Sequence, residues 1–291
     1  RPNSHVIQIT HDKSGKVDGV IYVDKSGSLQ KQAAKVVCVA GNSIETPRLL
    51  LMSKSNMFPN GLANSSDQVG RNYMRHLTAS VYATFNKPVN FYRGETMAGF
   101  LADEVKNNPK RGFVGGFYME TLALGPSFMG AFLEPGGWGK KFANMMDAYQ
   151  NMAGMWIVGE DMPQSTNRIT LGSAKDQHGM PAPNVHFDDH PNDIAMRKYA
   201  WKKGSAIYKA VGAKQIWNTP PYPHTHKLGS CRMSAKAKDG VVNKWGRAHD
   251  IKNLFVSDGS QMTTGAACNP TLTIVALAIR QGEYLASELK K

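Results

Sequence analysis

Apolar and polar positions form two short strand-like runs at the start of the chain, His5-Val-Ile-Gln-Ile-Thr and Val17 to Val23. The turns Lys13-Ser-Gly-Lys and Asp24-Lys-Ser-Gly follow them, so residues 5–40 are predicted to be β structure opening with a meander. Val36-Val-Cys-Val-Ala40 differs because it is apolar without alternation, which predicts a strand covered on both faces and closed by Gly41. Thr46-Pro47 has the form of a helix start, with a capping threonine and proline at the first helical position, and Leu49, Leu50 and Met52 supply the buried side.

From about residue 78 to 220 the pattern changes. Gly, Pro, Met and aromatic residues thicken between Phe91 and Trp156, and loops are the expectation there. Arg168-Ile-Thr-Leu predicts a short strand. A helix after Pro191-Asn-Asp is indicated by Met196, Tyr199, Ala200, Ile207 and Val211 at three-to-four spacing. Leu254-Phe-Val256 then predicts a buried strand, and Asn269-Pro270 opens a helix. That helix is apolar almost all round, which predicts deep packing against a sheet.

Composition excludes several classes. Hydrophobic residues make up 41% and charged residues 20%, without low-complexity tracts, so the 291 residues can bury one large or two small cores. The net charge of +13 is spread over scattered lysines without a stacking-aromatic run, which argues against nucleic acid as a partner. Cys38, Cys231 and Cys268 are an odd number at wide spacing, and no metal-ligand pattern is present. No apolar run reaches about 18 residues, so no transmembrane segment is expected. Residue 1 is arginine with no signal-peptide pattern behind it, which predicts a chain that begins in mid-domain.

Three stretches carry a resemblance. They are His226-Lys-Leu-Gly-Ser-Cys-Arg-Met233 with Asn253 to Ser260 and Asn269-Pro-Thr-Leu-Thr, Val36 to Leu51, and Val69-Gly-Arg-Asn-Tyr-Met-Arg-His76. In order and content they resemble the glucose–methanol–choline flavoproteins. The resemblance implies an α/β FAD-binding, Rossmann-like domain whose N-terminal part lies upstream, with an α+β substrate-binding domain inserted. Its implied divisions are residues 1–77 and 222–291 for FAD and 78–221 for substrate. The G-x-G-x-x-G loop that would cradle the pyrophosphate has no counterpart here, and Asn42-Ser43 stands where other members have alanine.

By the same resemblance the cofactor is FAD and the reaction is hydride transfer from a CH–OH carbon to flavin N5. His226 is then the base, since imidazole accepts a proton near neutral pH, and Asn269 orients the hydroxyl without titrating. His224 is a rival two residues away, and Asn269 reads equally as a helix cap. The implied cofactor contacts are Val6, Ala40, Gly41, Asp258, Gly259, Asn269, Pro270, Thr271 and Leu272, the last two through main-chain amides at the helix start. For Val6 a plain strand residue, and for Asp258-Gly259 a simple turn, remain the other readings. His76 is either near the flavin or closes its domain. Arg232 and Met233 pack beneath the motif, and Cys268 is expected to be buried.

Gly159-Glu-Asp-Met-Pro, Asn167-Arg-Ile-Thr-Leu, Gly179-Met-Pro-Ala-Pro and His190-Pro-Asn-Asp resemble the gluconate or sugar dehydrogenase branch. That branch implies an alcohol, sugar or sugar-acid substrate and electrons passed to a quinone or cytochrome c through small partner subunits. It also implies a periplasmic place at the membrane, with the cytoplasm as the alternative. An oxygen-using oxidase is the enzymatic rival, and a basic binding fragment the non-enzymatic one.

Overall fold

A computed structural model describes residues 1–219 and 226–290, apart from the side chain of Phe132. The strands β1 (His5–His11), β2 (Val17–Val23) and β3 (Leu29–Ala33) form an antiparallel meander. Each of its turns is built the same way. Asp12 accepts from the amides of Ser14 and Lys16, and Asp24 from those of Ser26 and Ser28, with Gly15 and Gly27 both at φ +82°.

Strand β4 (Val37–Val39) leads into helix α1 (Asn42–Met52). The predicted start, with Thr46 as cap and Pro47 as first helical residue, is corrected here, because the helix opens five residues earlier, at Asn42, and carries Pro47 inside it. Asn42 makes this possible. It sits at φ +80°, and its side-chain oxygen accepts from the amides of Ile44 and Glu45 at 2.8 and 3.3 Å. Thr46 turns its hydroxyl back toward the Gly41 amide instead.

Strands β5 (Leu77–Thr84), β6 (Phe100–Leu101) and β7 (Phe117–Thr121) come next, then helices α2 (Pro126–Leu133) and α3 (Gly139–Asp147) and strand β8 (Met152–Gly159). The expectation of loops from Phe91 to Trp156 therefore fails for three strands and two helices. Non-local pairing decides it, since β8 lies between β5 and β7 and its Gly154 and Gly159 admit Tyr82 and Met196 side chains. Strands β9 (Arg168–Lys175) and β10 (Pro181–His186) form a hairpin. Helix α4 (Pro191–Ala210) is capped by His190 and buries Met196 and Ala200, but Ile207 and Val211 are exposed. Strand β11 (Gln215–Thr219) completes a five-stranded sheet of order β11-β5-β8-β7-β6.

Beyond the undescribed stretch, β12 (Leu254–Val256) pairs in parallel with β4, and helix α5 (Thr271–Leu289) closes the chain. All of β12 is buried. In β4, by contrast, Cys38 is exposed, so the strand is not covered on both faces, its partner among the described residues being β12 alone. Helix α5 also departs from expectation. Leu272, Val275 and Ile279 are 81%, 48% and 61% exposed, and Gln281 is its buried side chain, donating to the carbonyls of Trp245 and Val256.

Three cores result. Ile9, Leu50, Val69, Cys231, Val242 and Leu254 share one, drawn from both ends of the chain. A second joins the five-stranded sheet to α4 through Val81, Phe117, Ile157 and Met196, and a third gathers Tyr82, Leu122, Met129, Leu133 and Met152.

Candidate active site

The segment after the undescribed stretch is held from both sides. Leu228 exchanges backbone hydrogen bonds with Met74 at 2.9 and 3.0 Å, while Gly229, Cys231 and Met233 donate to Gly259, Ser260 and Gln261. Gly229 has φ +70°, and a Cβ there would meet the Asn72 carbonyl oxygen at 2.0 Å. Only glycine lets the two backbones approach so closely. Cys231 is fully buried, Met233 packs on the core, and the Arg232 guanidinium donates to the Asp239 carbonyl. These contacts fix the backbone two residues past His226.

His226 is half-buried, and its side chain hydrogen-bonds Asn269. Burial lowers its pKa from the ordinary histidine value; the Asn269 bond opposes that and the Lys227 charge adds to it. Beside it lies the fully buried His76, whose ring centre is 5.3 Å from that of His226. His76 Nε2 faces the Ala266 carbonyl at 3.1 Å, so that nitrogen carries the proton and Nδ1 is a bare acceptor without a partner among the described residues. Burial, then the His226 charge, holds His76 down to about 4. It is therefore neutral at pH 7.

Below His226 a crevice of about 470 Å³ is lined by Ala40, Asp258, Gly259, Pro270 and Thr271, all singled out from the sequence. Asp258 organises its floor. Its carboxylate accepts from the Asn42 amide at 3.0 Å, the Thr46 hydroxyl at 2.5 Å and the Ser260 amide at 2.8 Å, so Asp258-Gly259 is more than a turn. Asn42, Ile44, Glu45, Lys227 and Ile274 also line the crevice and were missed as site residues. The Asn42-Ser43 departure from alanine was the available signal for the first of them.

Val6 and Gly41 lie instead in an adjoining cavity of about 730 Å³, which shares Ala40 and Glu45 with the crevice. Leu272 projects outward, leaving only its amide as a candidate contact. The α5 start is Pro270, which carries no side-chain cap bond, and the first intrahelical bond runs from Ile274 to the Pro270 carbonyl at 2.9 Å. Asn269 is thus not the helix cap. The amides of residues 271–273 have no intrahelical acceptor beside the crevice. Cys268 is exposed, against the expectation of burial, because the 262–269 loop crosses the surface. His224 lies outside the described residues, as does the boundary between residues 221 and 222. Among the described residues no group of three metal-ligating side chains is present, and no helix is long and apolar enough to cross a membrane.

Residues 163–278 match the family model described as GMC oxidoreductase. The chain is 40% identical to 2-methyl-1,2-propanediol dehydrogenase of Mycolicibacterium austroafricanum over 98% of its length and 54% of that protein. To the fructose dehydrogenase large subunit of Gluconobacter japonicus it is 30% identical, over 100% of this chain and 54% of the relative. It spans about half the length of these relatives. A formate oxidase crystal structure shares the fold at a TM-score of 0.70 and 16% identity, covering 99% of this chain and 60% of the other.

Proposed function

Since the chain belongs to the glucose–methanol–choline oxidoreductase family, we propose that the protein is an FAD-dependent dehydrogenase that oxidises the CH–OH group of an alcohol or sugar, with His226 as base. The observation that carries this reading is the His226–Asn269 pair above the crevice, beside a second buried and neutral histidine. The crevice suits a flavin. Free amides at the start of α5 offer partial positive charge to an electron-rich ring edge, and Ala40, Ile44 and Ile274 supply apolar wall. When bound, FAD accepts the hydride.

The chain's own residues manage the proton. A neutral His226 accepts it from the substrate hydroxyl, and burial keeps the imidazole unprotonated at pH 7. Asn269 holds the His226 ring and offers an amide donor to the oxygen as it gains charge. The relatives named a dehydrogenase and a dehydrogenase large subunit support a reading in which electrons leave to a cytochrome or quinone through partner subunits rather than to oxygen.

The test is His226→Ala in the full-length, flavin-loaded protein. Flavin reduction by substrate should slow by roughly a hundredfold or more, the usual contribution of a general base, with the flavin still bound. Undiminished reduction would remove His226 from the chemistry.

A further inference from the structure

Two backbone kinks meet behind the histidine pair. His76 and Ala266 are non-glycine residues in the left-handed region, at φ +61° and +58°, and the His76 ring donates from Nε2 to the Ala266 carbonyl. That conformation is costly for a residue with a Cβ, so a fold keeps two such residues in contact only where surrounding bonds impose them. His76 stands between Met74, which pairs with Leu228, and Leu77, the first residue of β5. Ala266 lies in the loop that ends at Asn269.

One residue holds both kinks. Asp161, buried and two residues past the end of β8, accepts the amides of Arg75, His76 and Leu77 on its carboxylate, the first of them at 2.8 Å. Three consecutive N–H groups converge on one anion because the residue among them is left-handed, which folds the main chain into an anion-binding concavity. The main chain of Asp161 holds the other side, its carbonyl accepting from the Gly265 amide at 3.1 Å. The approach there is close, since a Cβ on Gly265 would stand 2.7 Å from the Asp161 nitrogen. Met162, the next residue, is tied in turn, its amide donating to Asp193 in the first turn of α4 at 3.1 Å.

Asp161 does not line the crevice, so it makes no contact there with a bound molecule. Its charge is a cause of neither histidine's lowered pKa. Burial and the His226 charge lower His76, while burial and the Lys227 charge lower His226. The influence of Asp161 on the pair is therefore geometric. Burial raises Asp161 to about 6 against the bonds from the three amides and the Arg75 charge, which leaves it largely ionised, and an acceptor on both oxygens, at pH 7.

We infer that Asp161 is a positioning residue of the proton-handling site, its carboxylate turning the His76 ring toward His226 while its carbonyl sets the loop that brings Asn269 to the same imidazole. This rests on the proposed alcohol oxidation and adds to it a residue that acts only through others. Without the Asp161 carboxylate the amides of residues 75–77 lose their common acceptor, His76 relaxes from the left-handed region, and its ring leaves the Ala266 carbonyl. The loop that ends at Asn269 then loses a fixed partner, and the Asn269 bond to His226 slackens. That bond raises the His226 pKa against burial and the Lys227 charge, so its loss moves the pKa further down.

The experiment uses the full-length, flavin-loaded protein with Asp161→Ala and, from the opposite side of the same contact, Gly265→Ala. Rapid-mixing flavin reduction by 1-propanol and by sorbitol from pH 5 to 9 gives a limiting rate and an apparent donor affinity. In Asp161→Ala the limiting rate should fall by roughly tenfold or more, as it does when a catalytic group is misplaced from a distance, with the affinity held within about threefold. The acid limb should move down. Hydrogen exchange at each histidine ring carbon, read by mass spectrometry, follows the same change without turnover. There the His226 pKa should fall, and the His76 ring, protected in the parent, should exchange faster. Gly265→Ala should show the same changes at smaller amplitude, with a rate several-fold down, and it decides alone should Asp161→Ala not fold. A folded variant that keeps the parent's limiting rate, acid limb and ring exchange would show a merely structural bond and overturn the inference. A loss confined to donor affinity overturns it as well. If neither alcohol reduces the parent's flavin, the alcohol-oxidation reading fails, while the ring exchange still decides the role of Asp161.

Discussion

Replacing Asn269 with aspartate separates its contact with His226 from every other role. Asn269 hydrogen-bonds a half-buried His226 whose pKa burial holds below the ordinary value near 6.5. A carboxylate in that position places a negative charge in contact with the ring, and an opposite charge at such range raises a pKa by roughly 1–3 units. The sign follows directly. The charged imidazolium is favoured, so the base stays protonated to higher pH and the acid limb of kcat/KM moves upward. Wherever the raised pKa exceeds the ambient pH, each unit of the rise cuts the neutral fraction by up to about tenfold. Reduction at neutral pH should therefore slow, by up to about tenfold for each unit of the rise, and recover as the pH increases. Any deficit left at pH 9 measures the lost amide donor. The helix itself should be untouched, because Pro270, not Asn269, occupies its start. The assay is rapid-mixing flavin reduction from pH 5 to 9 in the full-length protein, with a thermal melt as control. An acid limb that stays in place, or moves down, would refute the contact between residue 269 and the base.

Other consequences can be measured without turnover. Gly229→Ala should destabilise the protein by about 3 kcal/mol or more, because it combines left-handed strain at φ +70° with a Cβ 2.0 Å from the Asn72 carbonyl oxygen; a melting temperature within a degree of the parent would contradict the close approach. Burial, then the Asp161 charge, raises Asp193 to about 8, and burial raises Asp161 to about 6. Between these values and the unfolded value of 3.8 the folded state holds protons the unfolded chain has lost, so acidifying from pH 9 to pH 6 should raise the melting temperature, with the gain levelling off below about pH 4. Asp193→Asn should flatten that rise, and a melting temperature that falls over the same interval would show the pair to be ionised and solvated.

The sequence by itself determined the parts whose physics is local. The Asp-Lys-Ser-Gly turn and the alternation around it specify the meander, because aspartate side chains and positive-φ glycines close such turns without outside help. Leu254-Phe-Val256 declared its burial by composition alone. The motif around His226 was legible as a unit, and the structure brings His226, Ala40, Asp258, Gly259, Pro270 and Thr271 to one crevice from segments up to 231 residues apart, counting from Ala40 to Thr271, with Asn269 hydrogen-bonded to His226.

Only the tertiary structure decided the rest. Residues 91–156 looked like loops because β7 and β8 owe their stability to neighbours dozens of positions away. The start of α1 at Asn42 was hidden because a left-handed asparagine does a cap's work there, while Thr46 serves Asp258 across 212 residues. Helix α5 kept its apolar outer face, and Cys38 its exposure, because burial depends on what packs against a segment, which a pattern of residues does not state. His76 shows the same limit at the site. Its tautomer, its neutrality and its place 5.3 Å from His226 come from the Ala266 carbonyl and complete burial, both set by how distant segments meet.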